Sequence, residues 1–193
     1  MVCLPGQGYL PRPLTKYWRG RGIKIAVYLD DGAGDEQSLA VARQHSSFVQ
    51  DTLIQAGFVI NEGKSTWEPS KTITWLGVTV DTIENVYYIS EKRISKCTQY
   101  LDYLLSSTHT TARKLAKLVG MIISMQFVLK SIVSLKTRYL YNVIESSDKW
   151  DSKFELNSHT NVVSEIKFWK ENIIKLNRRN ISCHDWQSDL SAL

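Results

Sequence analysis

The sequence changes period at Ser90. Up to that point short apolar runs end at turn residues, and one helical stretch interrupts them. Beyond it every apolar series is spaced three or four residues apart. Alternation belongs to strands and 3–4 spacing to helices, so the chain divides into a hairpin-bearing part and a helix-only part. The fold class this predicts is α+β: antiparallel β-hairpins with one packed helix, followed by an all-helical unit.

Ile23 to Leu29 reads as a short buried strand, with Ile25, Val27 and Leu29 alternating against Ala26 and Tyr28. Asp35 to Ala56 reads as a helix, with Asp35 as N-cap and Gly57 at the C-cap glycine position. Leu39, Ala42, Val49 and Leu53 form its apolar stripe. Phe58-Val59-Ile60 is expected to be a strand, Asn61 to Lys64 a turn, Thr72 to Val80 a strand, and Val86 to Ile89 its return. Four helical stripes follow: Ile94, Cys97, Leu101, Leu104; Leu115, Leu118, Ile122, Met125 behind Thr110 or Thr111; Ile132, Leu135, Tyr139, Val143; and Val162, Ile166, Trp169, Ile173, Leu176. They predict core contacts of a helical bundle. Residues 1–22 carry Pro5, Pro11, Pro13 and four glycines, which predicts poor order, with Leu14 to Arg21 at most the tail of a helix.

The apolar run into Tyr28 ends on two adjacent carboxylates, Asp30 and Asp31, and then Gly32. Their repulsion needs an offset. A divalent cation supplies one, since Mg²⁺ takes oxygen ligands from a few carboxylates and from substrate phosphates. Gly32 and Gly34 let the backbone turn tightly and let a ligand approach. A plain Asp-Asp-Gly turn is the structural alternative, and the pair alone does not decide.

Charge placement adds a second constraint. The net charge of +5 resolves into −1 over residues 1–90 (8 basic, 9 acidic), +6 over 91–150 (10 and 4) and zero over 151–193 (6 and 6). The excess in 91–150 is either a set of solvated helix faces or a surface for a polyanion. Arg113, Lys114 and Lys117 fall within about one turn beside Leu115. Gly120 leaves room for another helix or for a nucleic-acid backbone. Cys3, Cys97 and Cys183 are odd in number and far apart, which suits free thiols in a reducing, intracellular setting, cytoplasm or nucleus. No run of 18 apolar residues is present, so no membrane span is expected.

Tyr28-Leu29-Asp30-Asp31 after an apolar strand resembles the active-site hairpin of reverse transcriptases. The elements that follow in that family also follow here: helix 35–56, Gly57-Phe58-Val59-Ile60 with Lys64, Trp75-Leu76-Gly77 continuing to Val80, and a basic helical segment from 90. Lys16-Tyr17-Trp18-Arg19 before Gly22-Ile23-Lys24-Ile25, Arg113 through Gly120, and Glu165 through Asn172 look like the DIRS-like class of retrotransposons. The resemblance implies a partial polymerase palm over 23–89, with 1–22 a remnant of preceding palm and fingers. It implies a helical thumb over 90–150 and a connection segment over 151–193, ending before any RNase H domain.

By this resemblance the family activity is RNA-directed DNA polymerisation, with an RNA/DNA primer–template duplex and dNTP as partners. Asp30 and Asp31 would be metal ligands for Mg²⁺ or Mn²⁺ and catalytic groups. Lys64 would approach the triphosphate, or else be a solvated turn lysine. Tyr28 would lie near the duplex or fill core, and Trp75, Leu76 and Gly77 would grip the primer, with Trp75 as plain core the alternative. Arg113, Lys114 and Lys117 would line phosphates. Asp30 is the first acidic residue, so no earlier residue supplies the third carboxylate of a two-ion site. Metal binding is therefore expected to be weak, the sheet edge uncovered, and the chain alone inactive. The competing reading is a non-enzymatic basic helical protein that binds nucleic acid through 90–145. A different Mg²⁺-dependent phosphoryl-transfer enzyme meets the same shortage of carboxylates.

Overall fold

A computed structural model describes residues 2–5 and 12–182; residues 6–11 and the end of the chain from 183, with Cys183 and Asp189, lie outside the described part. The fold is α+β and forms two units, Met1–Asn85 and Val86–Leu193.

The first unit holds a three-stranded antiparallel sheet in the order β1-β3-β2, where β1 is Val2–Pro5, β2 is Ile25–Tyr28 and β3 is Asp31–Gly34. Strand β1 pairs with β3 from Val2↔Gly34 to Pro5↔Asp31, so the edge of β3 is covered, not open as expected. Helix α1 spans Arg12–Gly20. The N-terminal prolines had suggested poor order here. However, Pro13 falls in the first helical turn, where a missing N–H costs nothing, and Pro5 falls at a strand end. Trp18, fully buried, packs with Ile23, Ile25, Val49 and Leu53, and its Nε1 donates to Thr52 Oγ1 at 2.8 Å.

Helix α2 spans Leu39–Gln55, with Ser38 at the N-cap position. Asp35 does not cap it, because its N–H donates to the Lys24 carbonyl and extends the ladder beyond β3. The C-terminus closes on Gly57 at φ 84°, with Gly57 N–H on the Ile54 carbonyl and Phe58 N–H on the Leu53 carbonyl. This is the Schellman closure, and it uses the backbone donor that a strand at Phe58 would need. Ile60 accordingly makes only an isolated bridge, and the expected strand 58–60 does not form. The expected strand 72–80 is two strands, β4 (Thr72–Trp75) and β5 (Val78–Asp81), paired from Thr72↔Asp81 to Trp75↔Val78. Leu76 and Gly77 take φ of 51° and 77°, the two positive values of a type I′ hairpin turn. Strand β4 lies beside β1 and β3.

The second unit opens with β6 (Val86–Ile89) and α3 (Glu91–Ser106), then β7 (His109–Thr110) and α4 (Ala112–Ile123). Thr111 caps α4, its Oγ1 accepting from Lys114 N–H. The third stripe is not one helix. It is α5 (Gln126–Leu129), α6 (Ile132–Leu135) and α7 (Arg138–Glu145). Thr137 donates to the Val133 carbonyl at 2.8 Å and Trp169 Nε1 to the Lys136 carbonyl at 2.7 Å, which fixes the break between α6 and α7. Strand β8 (Phe154–Glu155) pairs with β7, helix α8 spans Thr160–Asn172, and β9 (Arg179–Asn180) pairs with β6. Helix α8 packs on α3 and α7, so the helices before and after residue 150 share one core. Cys97 sits fully buried in it, and burial pushes its thiol up to about 11, which leaves it an inert core group. No helix among the described residues is long and apolar enough to cross a membrane.

Candidate functional site

In the first unit the site is built by the β2–β3 hairpin. Tyr28 pairs with Asp31, so Leu29 and Asp30 form a two-residue loop. Leu29 takes φ 54°, a left-handed value that costs a non-glycine residue about 1 kcal/mol. A strained tip of this kind persists only where the flanking ladder holds it, and here pairs from Ile25↔Gly34 to Tyr28↔Asp31 do so. Tyr28 is 58% exposed and does not fill core. Asp30 is exposed and Asp31 half-buried.

The structure brings Asp30 and Lys64 each into electrostatic reach of Asp31. Burial raises the Asp31 carboxyl above its ordinary value, repulsion from Asp30 raises it further, and the Lys64 ammonium partly offsets both. The folded chain therefore holds the Asp31 proton more tightly than the unfolded chain does. Stability from this group falls as pH rises from the ordinary value of 3.8 through the raised one, and the cost persists at neutral pH. Asp31→Asn is expected to raise the thermal midpoint at neutral pH and to leave it unchanged well below 3.8. Melting curves of both proteins across that range decide it; equal midpoints at neutral pH would show that neither burial nor repulsion of the Asp31 charge costs the fold stability there.

Two carboxylates do not make a two-ion centre. No cluster of three or more His, Cys, Asp or Glu side chains suited to a metal occurs among the described residues. The residue across the ladder from Asp31 is Pro5, which brings no ligand. Mg²⁺ is usually held by one or two carboxylates with waters and substrate phosphates completing its shell, so the pair fits one ion and falls short of a two-ion centre. Trp75 is half-buried, and Leu76 and Gly77 form the exposed turn of the β4–β5 hairpin.

In the second unit the three basic residues singled out from sequence separate. Arg113 does not present a free guanidinium: its Nε and a terminal nitrogen clamp Asp151 at 2.7 and 2.9 Å, and its backbone N–H donates to the Trp150 carbonyl at 3.1 Å. It fastens the loop before β8 to the start of α4. Lys114 and Lys117 instead lie over tyrosines of α3. Lys114 Nζ contacts the Tyr103 hydroxyl and sits 4.9 Å from its ring centroid, and Lys117 Nζ sits 4.6 Å from that of Tyr100. The Tyr100 hydroxyl donates to the Lys114 carbonyl at 3.1 Å. Tyr100 and Tyr103 were not singled out by counting charge, although i,i+3 spacing on a helix ahead of a basic one was visible. Gly120 is exposed, and a side chain there would meet nothing within 4 Å, so no helix packs against it.

No protein-family model matches the sequence, and no curated protein matches it. Solved structures do resemble the fold. A foamy viral protease-reverse transcriptase dRH in complex with double-stranded DNA superposes with a TM-score of 0.63 at 19% identity, over 87% of this chain and 26% of that one. A foamy viral protease-reverse transcriptase in complex with an RNA/DNA hybrid gives 0.60 at 18% identity, over 81% and 19%. The chain thus has a reverse-transcriptase-like fold and spans between a fifth and about a quarter of the length of those proteins.

Proposed function

We propose that the chain is part of a retrotransposon reverse transcriptase of the DIRS-like kind, carrying the later half of a palm and a helical thumb with its connection. The observation that carries this is the fold likeness over 87% of the chain, in which Tyr28-Leu29-Asp30-Asp31 occupies a strained two-residue hairpin tip. The palm part falls in residues 23–89 and the thumb in 90–150. The partner is an RNA/DNA primer–template duplex, and dNTP is the second substrate of the whole enzyme.

In this reading Asp30 and Asp31 are part of a larger set of metal ligands, to which these residues alone are insufficient. Lys64 lies close enough to Asp31 to moderate its charge and serves the triphosphate of the incoming nucleotide. Tyr28 meets the duplex with its exposed ring, and the Trp75-Leu76-Gly77 turn holds the primer. Lys114 and Lys117 meet phosphates, and exposed Gly120 admits the nucleic acid close to α4. Base-specific readout is absent from the scheme, since a polymerase accepts every sequence. The second reading, a nucleic-acid-binding protein without catalysis, is favoured by the absence, among the described residues, of a third metal-ligating group clustered with Asp30 and Asp31.

Fluorescence anisotropy with a primer–template carrying a template overhang tests the shared core of both. Affinity is expected to fall linearly on a log–log plot against salt. Lys114→Ala with Lys117→Ala should lower affinity about tenfold and flatten the slope by about two contacts. Absence of binding at low salt would overturn the assignment. Binding that strengthens with Mg²⁺ and loses that gain in Asp30→Asn separates the polymerase reading from the other.

A further inference from the structure

The α3–α4 face of the second unit carries more than charge. The Tyr100 and Tyr103 rings lie with centroids 5.8 Å apart at 32°, and Tyr103 is 44% exposed. Each ring has an ammonium parked over it, Lys117 on Tyr100 and Lys114 on Tyr103. Among the described residues neither lysine forms an ion pair; Asp102, between the two tyrosines in sequence, pairs with Lys170 at 2.5 Å, and Asp151 with Arg113. The hydrogen bond from Lys114 holds the Tyr103 hydroxyl below its ordinary phenol value.

A duplex gains little from such a surface. Its bases are stacked inside, and only phosphates reach a side wall, for which lysines suffice. An unpaired strand offers both groups: base faces for aromatic rings and phosphates for ammoniums, the combination used to hold single strands without sequence preference. We propose that Tyr100, Tyr103, Lys114 and Lys117 form a binding strip for single-stranded nucleic acid, on which bases stack while the lysines move from ring to phosphate. The proposal rests on the nucleic-acid reading above and narrows it to the unpaired part of the substrate.

The experiment measures the full chain against a single-stranded oligonucleotide, the same strand as an overhang on a duplex, and a blunt duplex. Tyr103→Leu is expected to weaken the first two about tenfold, as loss of one stacked base does, and to leave the blunt duplex within about twofold. Tyr103→Phe keeps the ring and is expected to keep single-strand affinity. It also guards against misreading a folding defect, together with melting curves of both variants. Photocrosslinking of an iodouracil-substituted single strand should label the peptide containing Tyr103. Equal losses on blunt duplex and single strand, or no loss on either, would overturn the strip and leave nucleic-acid binding standing. A wild-type chain that binds none of the three overturns the broader reading as well.

Discussion

Replacing Glu165 by alanine is expected to destabilise the helical unit by about 3 kcal/mol, because two buried amides lose their acceptor together. Glu165 is 5% exposed on α8, and its two oxygens accept from Tyr139 N–H at 3.1 Å and Leu140 N–H at 2.9 Å. These are first-turn amides of α7, which have no partner within the helix. Thr137, placed where a capping side chain would sit, donates instead to Val133 and gives them nothing. The carboxylate also sits at the positive end of the helix dipole, where an acceptor is favoured. For a unit of roughly a hundred residues the loss corresponds to a midpoint lowered by about 15 °C. Glu165→Gln retains one acceptor and should recover part of it. Chemical denaturation followed by circular dichroism reads both; a loss below about 1 kcal/mol for the alanine variant would show that water replaces the carboxylate freely.

That cap shows why part of the fold could not be read from sequence. The close of α2 at Gly57 was legible because every group in it lies within six residues, and glycine is the residue that a left-handed φ favours. The cap of α7 comes from 26 residues away, and Thr137 offered a local decoy. Local chemistry also hid the β4–β5 turn. Thr72 to Val80 reads as one β-rich run, and Leu76 is an unusual tenant for a positive φ; the reversal was marked only by Gly77 and by a change of phase in the alternation, from Ile73 and Trp75 to Leu76, Val78 and Val80. Averaging hid a basic surface too. Residues 1–90 sum to −1, yet no acid precedes Asp30, and α1 with its exit bears Arg12, Lys16, Arg19, Arg21 and Lys24. Arg19 is spent on the Ile25 carbonyl at 3.0 and 3.1 Å, and the Arg21 guanidinium lies 3.9 Å from the Tyr17 ring centroid.

The carboxylate hairpin was the most legible part of the candidate site, and the basic helix the least. Asp30 and Asp31 follow each other in the chain, so their proximity needs no folding, and the turn needed only an apolar strand on each side. The roles of Arg113, Lys114 and Lys117 depended on what stood opposite them. Asp151 took the arginine, and two tyrosines from the preceding helix took the lysines. A cation count sees three equivalent charges where the structure has one clasp and two ring-parked ammoniums.

Purified chain given primer–template, dNTP and Mg²⁺ or Mn²⁺ is expected to show no primer extension that depends on Asp30. Nucleotidyl transfer by paired ions needs both ions held about 4 Å apart, between the attacking and leaving oxygens. One carboxylate must reach both ions, and others must complete each shell. Asp30 and Asp31 are the acidic pair at the hairpin tip, Lys64 sets a positive charge against them, and Pro5 stands across the ladder. Calorimetric titration with Mg²⁺ should find weak binding that Asp30→Asn weakens further. The decisive contrast is between wild type and Asp30→Asn in the extension assay. Extension by wild type that vanishes in the variant would show that this pair recruits enough ligands from substrate phosphates to catalyse, and would make the carboxylate hairpin a working centre in this chain.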